Sequence, residues 1–236
     1  MSRRRHVSVQ SCRHTVSRRA AEIIDDAVQN ATREEPALLL LSGGSSVLDV
    51  CVELAQRELP WHALHVGQLD ERAVAPSHPE RAWPSIEATL LAHTAPEVAG
   101  RYPIPVDTLD AERAACSYDD TLGHLATRMR NIVAVCGLGE DGHVASLLPG
   151  DEKNASPSRV VTTGPYAGLL RVTISMAFLR TLPGIVVAAS GHSKATTMQS
   201  LISSAPDIPA ACLPAHTEFV IDRQAAALMD QSPYQD

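Results

Sequence analysis

The sequence predicts an α/β fold in which helices cover both faces of a parallel sheet. Unbroken apolar runs at residues 37–41, 132–136 and 185–189 have the pattern of strands that are buried on both sides. Segments with apolar residues at helical spacing lie between these runs, so strands and helices alternate almost throughout the chain. A turn rich in glycine or serine follows each of the three runs, as expected where a strand connects to a crossover helix.

The other elements follow from the same periodicities. Apolar residues three and four apart predict helices at residues 20–31, 47–54 and 115–129, and from the turn after residue 189 toward residue 203. Short apolar runs predict further strands at residues 64–69, 171–175 and 218–221. A short helix is expected at residues 225–229, whereas the polar stretch at residues 151–161 is expected to be irregular.

Length and composition predict a soluble protein. With 236 residues, of which 44% are hydrophobic, we expect a single α/β domain over residues 1–236. Residues 1–10 are basic, but no apolar segment follows them, so they predict a tail or a first strand and a cytoplasmic location. No apolar stretch approaches the ~20 residues that a membrane span requires, so no membrane partner is expected.

Charge and metal-ligating residues exclude other classes. A net charge of −7 and scattered arginines argue against nucleic acid as a partner. Five widely spaced cysteines without a CxxC pair argue against a disulfide framework or a structural zinc site. His62 and His65 are three residues apart beside a predicted strand and would face opposite sides, so no metal is expected. The sequence does not decide between a monomer and a dimer.

Residues 132–150, IVAVCGLGEDGHVASLLPG, give the strongest indication of a functional site. A buried strand runs into a turn with three glycines, at the kind of position where open parallel sheets bind ligands. Asp141 and His143 lie two residues apart in this turn, so the carboxylate can orient the imidazole and leave its other nitrogen free as a general base. For the glycines alone, a turn whose polar residues merely cap a helix is an equally good interpretation.

Two further segments have the chemistry of an anion site. Gly43, Gly44 and Ser45 follow a strand and open a helix, where backbone N–H groups can bind phosphate, although an ordinary crossover turn has the same pattern. Lys194 is one of only two lysines in the chain, the other being Lys153, and it lies in a predicted first helical turn. The helix dipole disfavours a cation there unless it faces an anion, so we interpret Lys194 as a phosphate ligand.

Residues 137–150, GLGEDGHVASLLPG, resemble the motif of the 6-phosphogluconolactonase family, G-M-G-x-D-G-H-T-A-S-L-F-P-G. The related glucosamine-6-phosphate deaminases share Asp-Gly-His but typically continue with phenylalanine, asparagine and glutamate. Here Ala145, Ser146 and Leu147 follow instead. The resemblance extends over residues 17–230 and includes SGGSS, the DER triplet after Trp61 and the SGHSKA segment. It implies a three-layer α/β/α fold with a mainly parallel, Rossmann-like sheet.

The resemblance also implies an activity and a general base. The expected reaction is hydrolysis of 6-phospho-D-glucono-1,5-lactone to 6-phosphogluconate in the pentose phosphate pathway, with a small phosphosugar lactone as the partner and no cofactor. His143 would activate water and Asp141 would orient its ring.

The remaining roles are assigned by the same resemblance. The phosphate would lie between the SGGSS turn and the side chains of Arg171 and Lys194, because the related deaminases use the arginine of the strand at 171–175 to hold phosphate. Arg72 of the DER triplet would contact substrate or stabilise the developing oxyanion, and Asp70 would hold part of the site in place. On residue type alone, three successive charges are more typical of a solvated turn.

One departure from the family bears on substrate specificity and on activity. Relatives commonly place Ser-Asn or Arg-Asn about ten residues after the DER triplet, whereas this chain has Arg81, Ala82 and Trp83. A missing asparagine amide removes a potential hydrogen bond to substrate or to a loop of the site. This departure keeps open a non-catalytic phosphosugar-binding protein as one alternative. The other alternative is a deaminase or another sugar-phosphate isomerase, which the DER triplet and residues 143–150, HVASLLPG, disfavour.

Overall fold

The computed structural model describes residues 5–94, 98–106, 110–203 and 207–229. The strands in these ranges are β1 (His6–Gln10), β2 (Ala37–Leu41), β3 (Leu64–Gln68), β4 (Asp70–Arg72), β5 (Gly100–Tyr102), β6 (Asn131–Gly137), β7 (Val160–Tyr166), β8 (Leu169–Ile174), β9 (Gly184–Ala189) and β10 (Glu218–Asp222). The α-helices are α1 (Arg13–Val28), α2 (Ser45–Ala55), α3 (Trp83–Ile86), α4 (Ala92–Thr94), α5 (Ala111–Arg128), α6 (Met176–Leu179) and α7 (Ala195–Ser203). A π-helical turn, Glu87–Leu91, joins α3 to α4, and 3₁₀ turns occur at Trp61–Ala63, Glu152–Ala155, His192–Lys194 and Pro209–Cys212.

The main sheet is seven-stranded and parallel, in the order β1-β10-β9-β6-β2-β3-β5. The predicted α/β class and mainly parallel sheet are therefore confirmed. Residues 6–10 form one of the two edge strands of this sheet, pairing with β10. The apolar runs predicted as covered strands became its central strands β2, β6 and β9.

Alternation along the central strands explains the two helical layers. In β2, Leu38 and Leu40 pack into the core on the side of α5, whereas Leu39 and Leu41 pack into the core on the side of α1 and α2. All five β2 residues are buried, because helices cover both faces of this strand. Burial of each such leucine side chain stabilises the fold by roughly 1.5–3 kcal/mol.

A second sheet was not predicted. β4, β8 and β7 form a three-stranded antiparallel sheet beside the main one. Leu69 links the two sheets, since its N–H donates to the Leu41 carbonyl and its carbonyl accepts from the N–H of Ile174. The strand predicted at residues 171–175 therefore exists as β8 but belongs to the small sheet, and the end of the polar stretch expected to be irregular is the start of β7. Periodicity identifies a strand without identifying its sheet.

The C-terminal helix expected at residues 225–229 was a wrong prediction. The segment forms consecutive turns, in which the Asp222 carboxylate accepts from the Ala225 N–H and later N–H groups bond mostly three residues back. The Asp222 contact has the geometry of a helix N-cap, but five residues are too few to offset the cost of helix nucleation, and the chain continues as three-residue turns.

Two other expectations concern the whole chain. The five cysteine thiols are all free, in agreement with the argument against a disulfide framework; Cys51 and Cys136 are buried, whereas Cys12 and Cys116 are exposed. Among the described residues, no helix has both the length and the apolar character needed to cross a bilayer.

Candidate active site

The candidate site lies where the direction of chain progression across the main sheet reverses. From β2 the chain proceeds through β3 to β5 on one side, whereas from β6 it proceeds through β9 to β10 on the other. The loops that leave the carboxyl ends of the adjacent strands β2 and β6 therefore diverge and leave a crevice between them. These loops are the SGGSS and GLGEDGH segments.

A cleft of about 590 Å³ occupies this crevice. It is lined by every residue proposed from sequence for the site: Gly43, Gly44, Ser45, Asp70, Arg72, Asp141, His143, Arg171 and Lys194. These residues come from five separate parts of the chain, and the ends of the parallel strands and the small sheet bring them together. Their placement is observed in the structure, whereas their roles in chemistry stay predictions.

Asp141 and His143 form a hydrogen-bonded pair. The imidazole Nδ1 lies 2.6 Å from the Asp141 Oδ1, and the His143 backbone N–H donates to the same oxygen at 3.1 Å. Partial burial by itself raises the pKa of Asp141, but these hydrogen bonds and the nearby imidazole outweigh it and lower the pKa of this carboxyl below its ordinary value. The carboxylate engages Nδ1, so Nε2 is the ring nitrogen available for proton transfer.

Gly139 allows this pair to pack against its own loop. A Cβ at residue 139 would lie 2.1 Å from the His143 Nδ1 and 2.6 Å from the Asp141 Oδ1. The loop also closes on the backbone, because the Gly139 N–H donates to the His143 carbonyl at 2.8 Å. Any side chain at residue 139 would displace the imidazole from the carboxylate.

The basic side chains gather at the junction of the cleft and the small sheet. Arg72 of β4 and Arg171 of β8 are direct cross-strand partners, and the Nε atoms of both are buried without a hydrogen-bond partner among the described residues. Burial, and next the charge of Arg72, lower the pKa of Arg171 below its ordinary value. Two like charges at opposed positions are unfavourable unless an anion lies between or beside them. This pair therefore makes the cleft suitable for a phosphate group.

The start of α2 and Lys194 line the same cleft. Gly44 caps α2 with an extended backbone, and its carbonyl accepts from the N–H groups of Val47 and Leu48. The N–H groups of Ser45 and Ser46 therefore have no acceptor within the helix and can bind an anion. The Lys194 ammonium lies 3.8 Å from the carboxylate of Glu140, which is two-thirds exposed. Lys194 is in the 3₁₀ turn immediately before α7, rather than in the first α-helical turn as predicted.

Asp70 connects the small sheet to the loop that carries His143. Its side chain is buried, and its Oδ2 accepts a hydrogen bond of 2.6 Å from the Ser146 hydroxyl. The Ser146 carbonyl in turn accepts from the Thr163 hydroxyl of β7 at 2.8 Å. This geometry agrees with the positioning role that the sequence suggested for Asp70, which stays a proposal.

Glu71 is a structural residue that the sequence interpretation missed. Its fully buried carboxylate accepts from the backbone N–H groups of Arg72, Ala82 and Trp83 and from the Gln68 side chain, at 2.7–3.1 Å. The buried Arg81 guanidinium lies 3.4 Å from the same carboxylate. Period-two alternation along β4 is the signal for this role, because Asp70 and Arg72 line the cleft and the residue between them must face the other way.

Ala82, the residue at which the sequence departs from the family motif, lies against the phosphate-loop candidate Gly43. A Cβ at residue 43 would be 2.3 Å from the Ala82 Cβ and 3.3 Å from the Arg72 guanidinium. Packing against Ala82 therefore requires that residue 43 has no side chain. Position 82 contacts the loop of the site directly, although Ala82 does not itself line the cleft.

We predict that Gly43→Ala destabilises the protein by roughly 1–3 kcal/mol, because the added methyl overlaps the buried Ala82. Thermal unfolding measures this change. Gly44→Ala is the matched control, since a Cβ at residue 44 has no atom within 4 Å and its backbone angles suit alanine, so we expect only the smaller cost of alanine at a helix N-cap. Equal unfolding temperatures for the two variants would contradict the packing argument.

Two further cleft residues had no sequence signal that pointed to them. Arg13, at the start of α1, donates to the Ser45 carbonyl at 3.4 Å and pairs with Asp49 of α2. Tyr166 lies at the end of β7 beside His143. Both are distant in sequence from the loops they contact. Among the described residues, no group of three or more His, Cys, Asp or Glu side chains is arranged to hold a metal ion.

Comparison with known proteins identifies the family. Residues 11–221 match the family described as glucosamine-6-phosphate isomerases/6-phosphogluconolactonase. The chain is 30% identical over 227 residues to a 6-phosphogluconolactonase of Mycobacterium leprae, covering 89% of this chain and 91% of that protein. It is 29% identical over 188 residues to the GDH/6PGL endoplasmic bifunctional protein of Oryctolagus cuniculus, covering 76% of this chain but only 24% of that longer protein.

Solved structures agree on the fold. A 6-phosphogluconolactonase from Trypanosoma cruzi superposes with a TM-score of 0.85 at 21% identity, covering 98% of each chain. A monomeric glucosamine-6-phosphate deaminase superposes with a TM-score of 0.80 at 20% identity, covering 94% of this chain and 99% of that one. Both branches of the family therefore share this architecture, and the superposition does not separate their activities. From the match over residues 11–221, the chain belongs to the glucosamine-6-phosphate isomerase/6-phosphogluconolactonase family.

Proposed function

We propose that this protein hydrolyses 6-phospho-D-glucono-1,5-lactone to 6-phosphogluconate. The observation that carries the proposal is the Asp141–His143 pair, which opens onto the same cleft as Arg171 and Lys194. A general base and an anion-binding site within one cleft suit a substrate that carries both a phosphate group and an ester bond to be hydrolysed. The M. leprae relative, which matches almost the full length of this chain, is named as a 6-phosphogluconolactonase and supports this choice.

Binding of the phosphate would orient the lactone. The dianion interacts with the N–H groups at the start of α2 and with the side chains of Arg171 and Lys194, which compensates the clustered positive charge. Holding the phosphate at this end of the cleft presents the lactone carbonyl to His143 and converts the attack of water into a reaction between positioned groups.

His143 would act first as base and then as acid. Water attacks the lactone carbonyl carbon while Nε2 takes one of its protons, and the carbonyl oxygen becomes an oxyanion. Arg72 or nearby backbone N–H groups stabilise this oxyanion, an effect often worth ~3 kcal/mol. The tetrahedral intermediate then collapses, the bond to the ring oxygen breaks, and that oxygen takes the proton from the imidazolium. Asp141 holds the ring orientation and stabilises the imidazolium throughout.

The segment after the Asp-Gly-His core favours hydrolysis over the deaminase alternative. Deaminases typically continue with phenylalanine, asparagine and glutamate after this core. In this chain the corresponding segment contains Ser146, which donates a hydrogen bond to Asp70, and Leu147, which is fully buried. No carboxylate therefore follows the histidine within this segment. The non-catalytic alternative is motivated by Ala82 alone, and the intact Asp141–His143 pair counts against it.

The rate of 6-phosphogluconolactone hydrolysis above its spontaneous background tests the proposal. Acceleration by the purified protein, together with no release of ammonia from glucosamine-6-phosphate, is the expected result. Saturable binding of 6-phosphogluconate without acceleration would instead identify a binding protein, and Ala82→Asn would then be the first variant to assay. We further propose that the reaction belongs to the pentose phosphate pathway and takes place in the cytoplasm.

Lys194→Ala is predicted to raise the KM for the lactone by roughly 10–100-fold with a smaller effect on kcat, because a charge-assisted contact to phosphate is lost. Steady-state kinetics measure both constants. The matched control is Lys153→Ala, the only other lysine, which is exposed in the 3₁₀ turn Glu152–Ala155 outside the cleft. Equal KM values for the two variants would remove Lys194 from the phosphate site.

A further inference from the structure

Tyr166 is an aromatic residue that neither the sequence motifs nor the proposed chemistry uses. It is the last residue of β7, where its side chain remains 41% exposed at the edge of the cleft. An exposed tyrosine is unremarkable by itself. Its two neighbours are unusual, because one is the proposed base and the other is a proposed phosphate ligand.

The ring contacts both of these groups. The Tyr166 and His143 ring centroids are 5.6 Å apart, with an edge-to-face angle of 62°. The Arg171 guanidinium carbon lies 5.5 Å from the same tyrosine centroid, within the range of a cation–π interaction. One side chain therefore bridges the two ends of the proposed site, which are carried by the loop after β6 and by β8.

A tight turn determines where this ring lies. Tyr166 pairs with Leu169, so only Ala167 and Gly168 connect β7 to β8. Both have positive φ angles, 50° and 79°, as in the two-residue turns that match the twist of a hairpin. The ring is thus held by a short hairpin that also carries Arg171, rather than by a long loop.

Arg171 needs such support. It is buried opposite Arg72, and its Nε has no hydrogen-bond partner among the described residues. Burial and the charge of Arg72 disfavour the charged guanidinium. The carboxylates of Asp70 and Glu80 compensate this only in part, so the pKa of Arg171 remains below its ordinary value. These unfavourable interactions oppose the position that Arg171 holds at the cleft. The electron-rich face of an aromatic ring attracts a cation and offsets part of this cost without neutralising its charge.

We propose that Tyr166 is a positioning residue, which holds the Arg171 guanidinium ready for the substrate phosphate and maintains its separation from His143. This inference rests on the proposed function for its substrate, but the arrangement it describes predicts anion binding independently of turnover. The ring acts through its face, so the hydroxyl group is not required.

The test combines three variants with a double-mutant cycle. Tyr166→Leu removes the aromatic face at similar bulk, and it is expected to raise KM about fivefold while kcat changes less. Tyr166→Phe keeps the ring and is expected to restore wild-type KM. Leu170→Ala is the matched control, since Leu170 is 45% exposed on the same hairpin and does not line the cleft. We expect it to leave both constants unchanged.

The cycle separates positioning from a general loss of structure. In an Arg171→Ala background, Tyr166→Leu is expected to cause no further increase in KM, because the partner it acts on is gone. Additive effects of the two substitutions, or a Tyr166→Phe variant as impaired as Tyr166→Leu, would overturn the proposal.

Calorimetry measures the affinity of the same variants for inorganic phosphate. This measurement distinguishes failure of this inference from failure of the proposed function. If the wild-type protein does not hydrolyse the lactone, the lactonase assignment fails. The positioning role would then still be supported if Tyr166→Leu weakens phosphate binding in the wild-type background. In the Arg171→Ala background, the same substitution should leave phosphate affinity unchanged. Unchanged phosphate affinity in Tyr166→Leu would overturn it.

Discussion

Replacing His143 with alanine is expected to lower kcat for lactone hydrolysis by about 10²–10⁴-fold, with KM nearly unchanged. The reason is that Nε2 is the ring nitrogen that the Asp141 carboxylate leaves available, so the variant loses proton transfer but keeps the phosphate site. Steady-state rates, corrected for spontaneous hydrolysis, measure the change. Circular dichroism of the same samples checks that the variant is folded.

Asp141→Asn is the variant whose loss of kcat we compare with that of His143→Ala. Its side chain keeps the volume of the native residue but no longer carries the charge that stabilises the imidazolium, so we expect a smaller loss of kcat than in His143→Ala. The double variant should be no slower than His143→Ala, because the two residues act as a unit. A His143→Ala variant with kcat within a few-fold of wild type would exclude His143 as the base.

Glu71→Ala is expected to reduce the free energy of unfolding by roughly 3–5 kcal/mol. The substitution leaves three backbone N–H groups and the Gln68 amide without their acceptor, and it leaves the buried Arg81 guanidinium without its counter-charge. Urea-induced unfolding measures the change. Glu71→Gln should be intermediate, because it retains an acceptor oxygen but not the charge.

The matched control for Glu71 is Glu22→Ala on α1. Glu22 pairs with Arg18 and Arg19 on the helix surface, where exposed ion pairs contribute about 0–1 kcal/mol. We therefore expect a loss much smaller than that of Glu71→Ala. Similar losses for the two variants would show that the buried carboxylate does not organise the segment from β4 to α3.

The central strands were predictable from sequence for a simple reason. A strand covered on both faces must be apolar at every position, so the runs at β2, β6 and β9 are unambiguous locally. The small sheet was not predictable in the same way. β4 has only three residues, all charged, and its strand conformation depends on pairing with β8, which lies about a hundred residues later.

The site divides along similar lines. Motifs such as SGGSS and GLGEDGH carry their chemistry within a few consecutive residues, so their glycines, Asp141 and His143 were identified locally. Alternation along β4 indicates which way Glu71 faces, but the roles of Glu71 and Tyr166 also depend on partners further away in the sequence. Glu71 binds backbone groups eleven and twelve residues later, and Tyr166 lies between His143 and Arg171 because a hairpin turn brings it there.

The sequence by itself determined the alternation of strands and helices, the glycine turns at the strand ends and the types of reactive residue available in this protein. These properties depend on periodicity and on backbone conformation, which neighbouring residues control. Only the tertiary structure decided that Arg72 faces Arg171, that Ala82 packs on Gly43 and that Glu71 is buried. Such contacts depend on which strands pair and in which register, and this is set by the burial of the whole core rather than by any local segment.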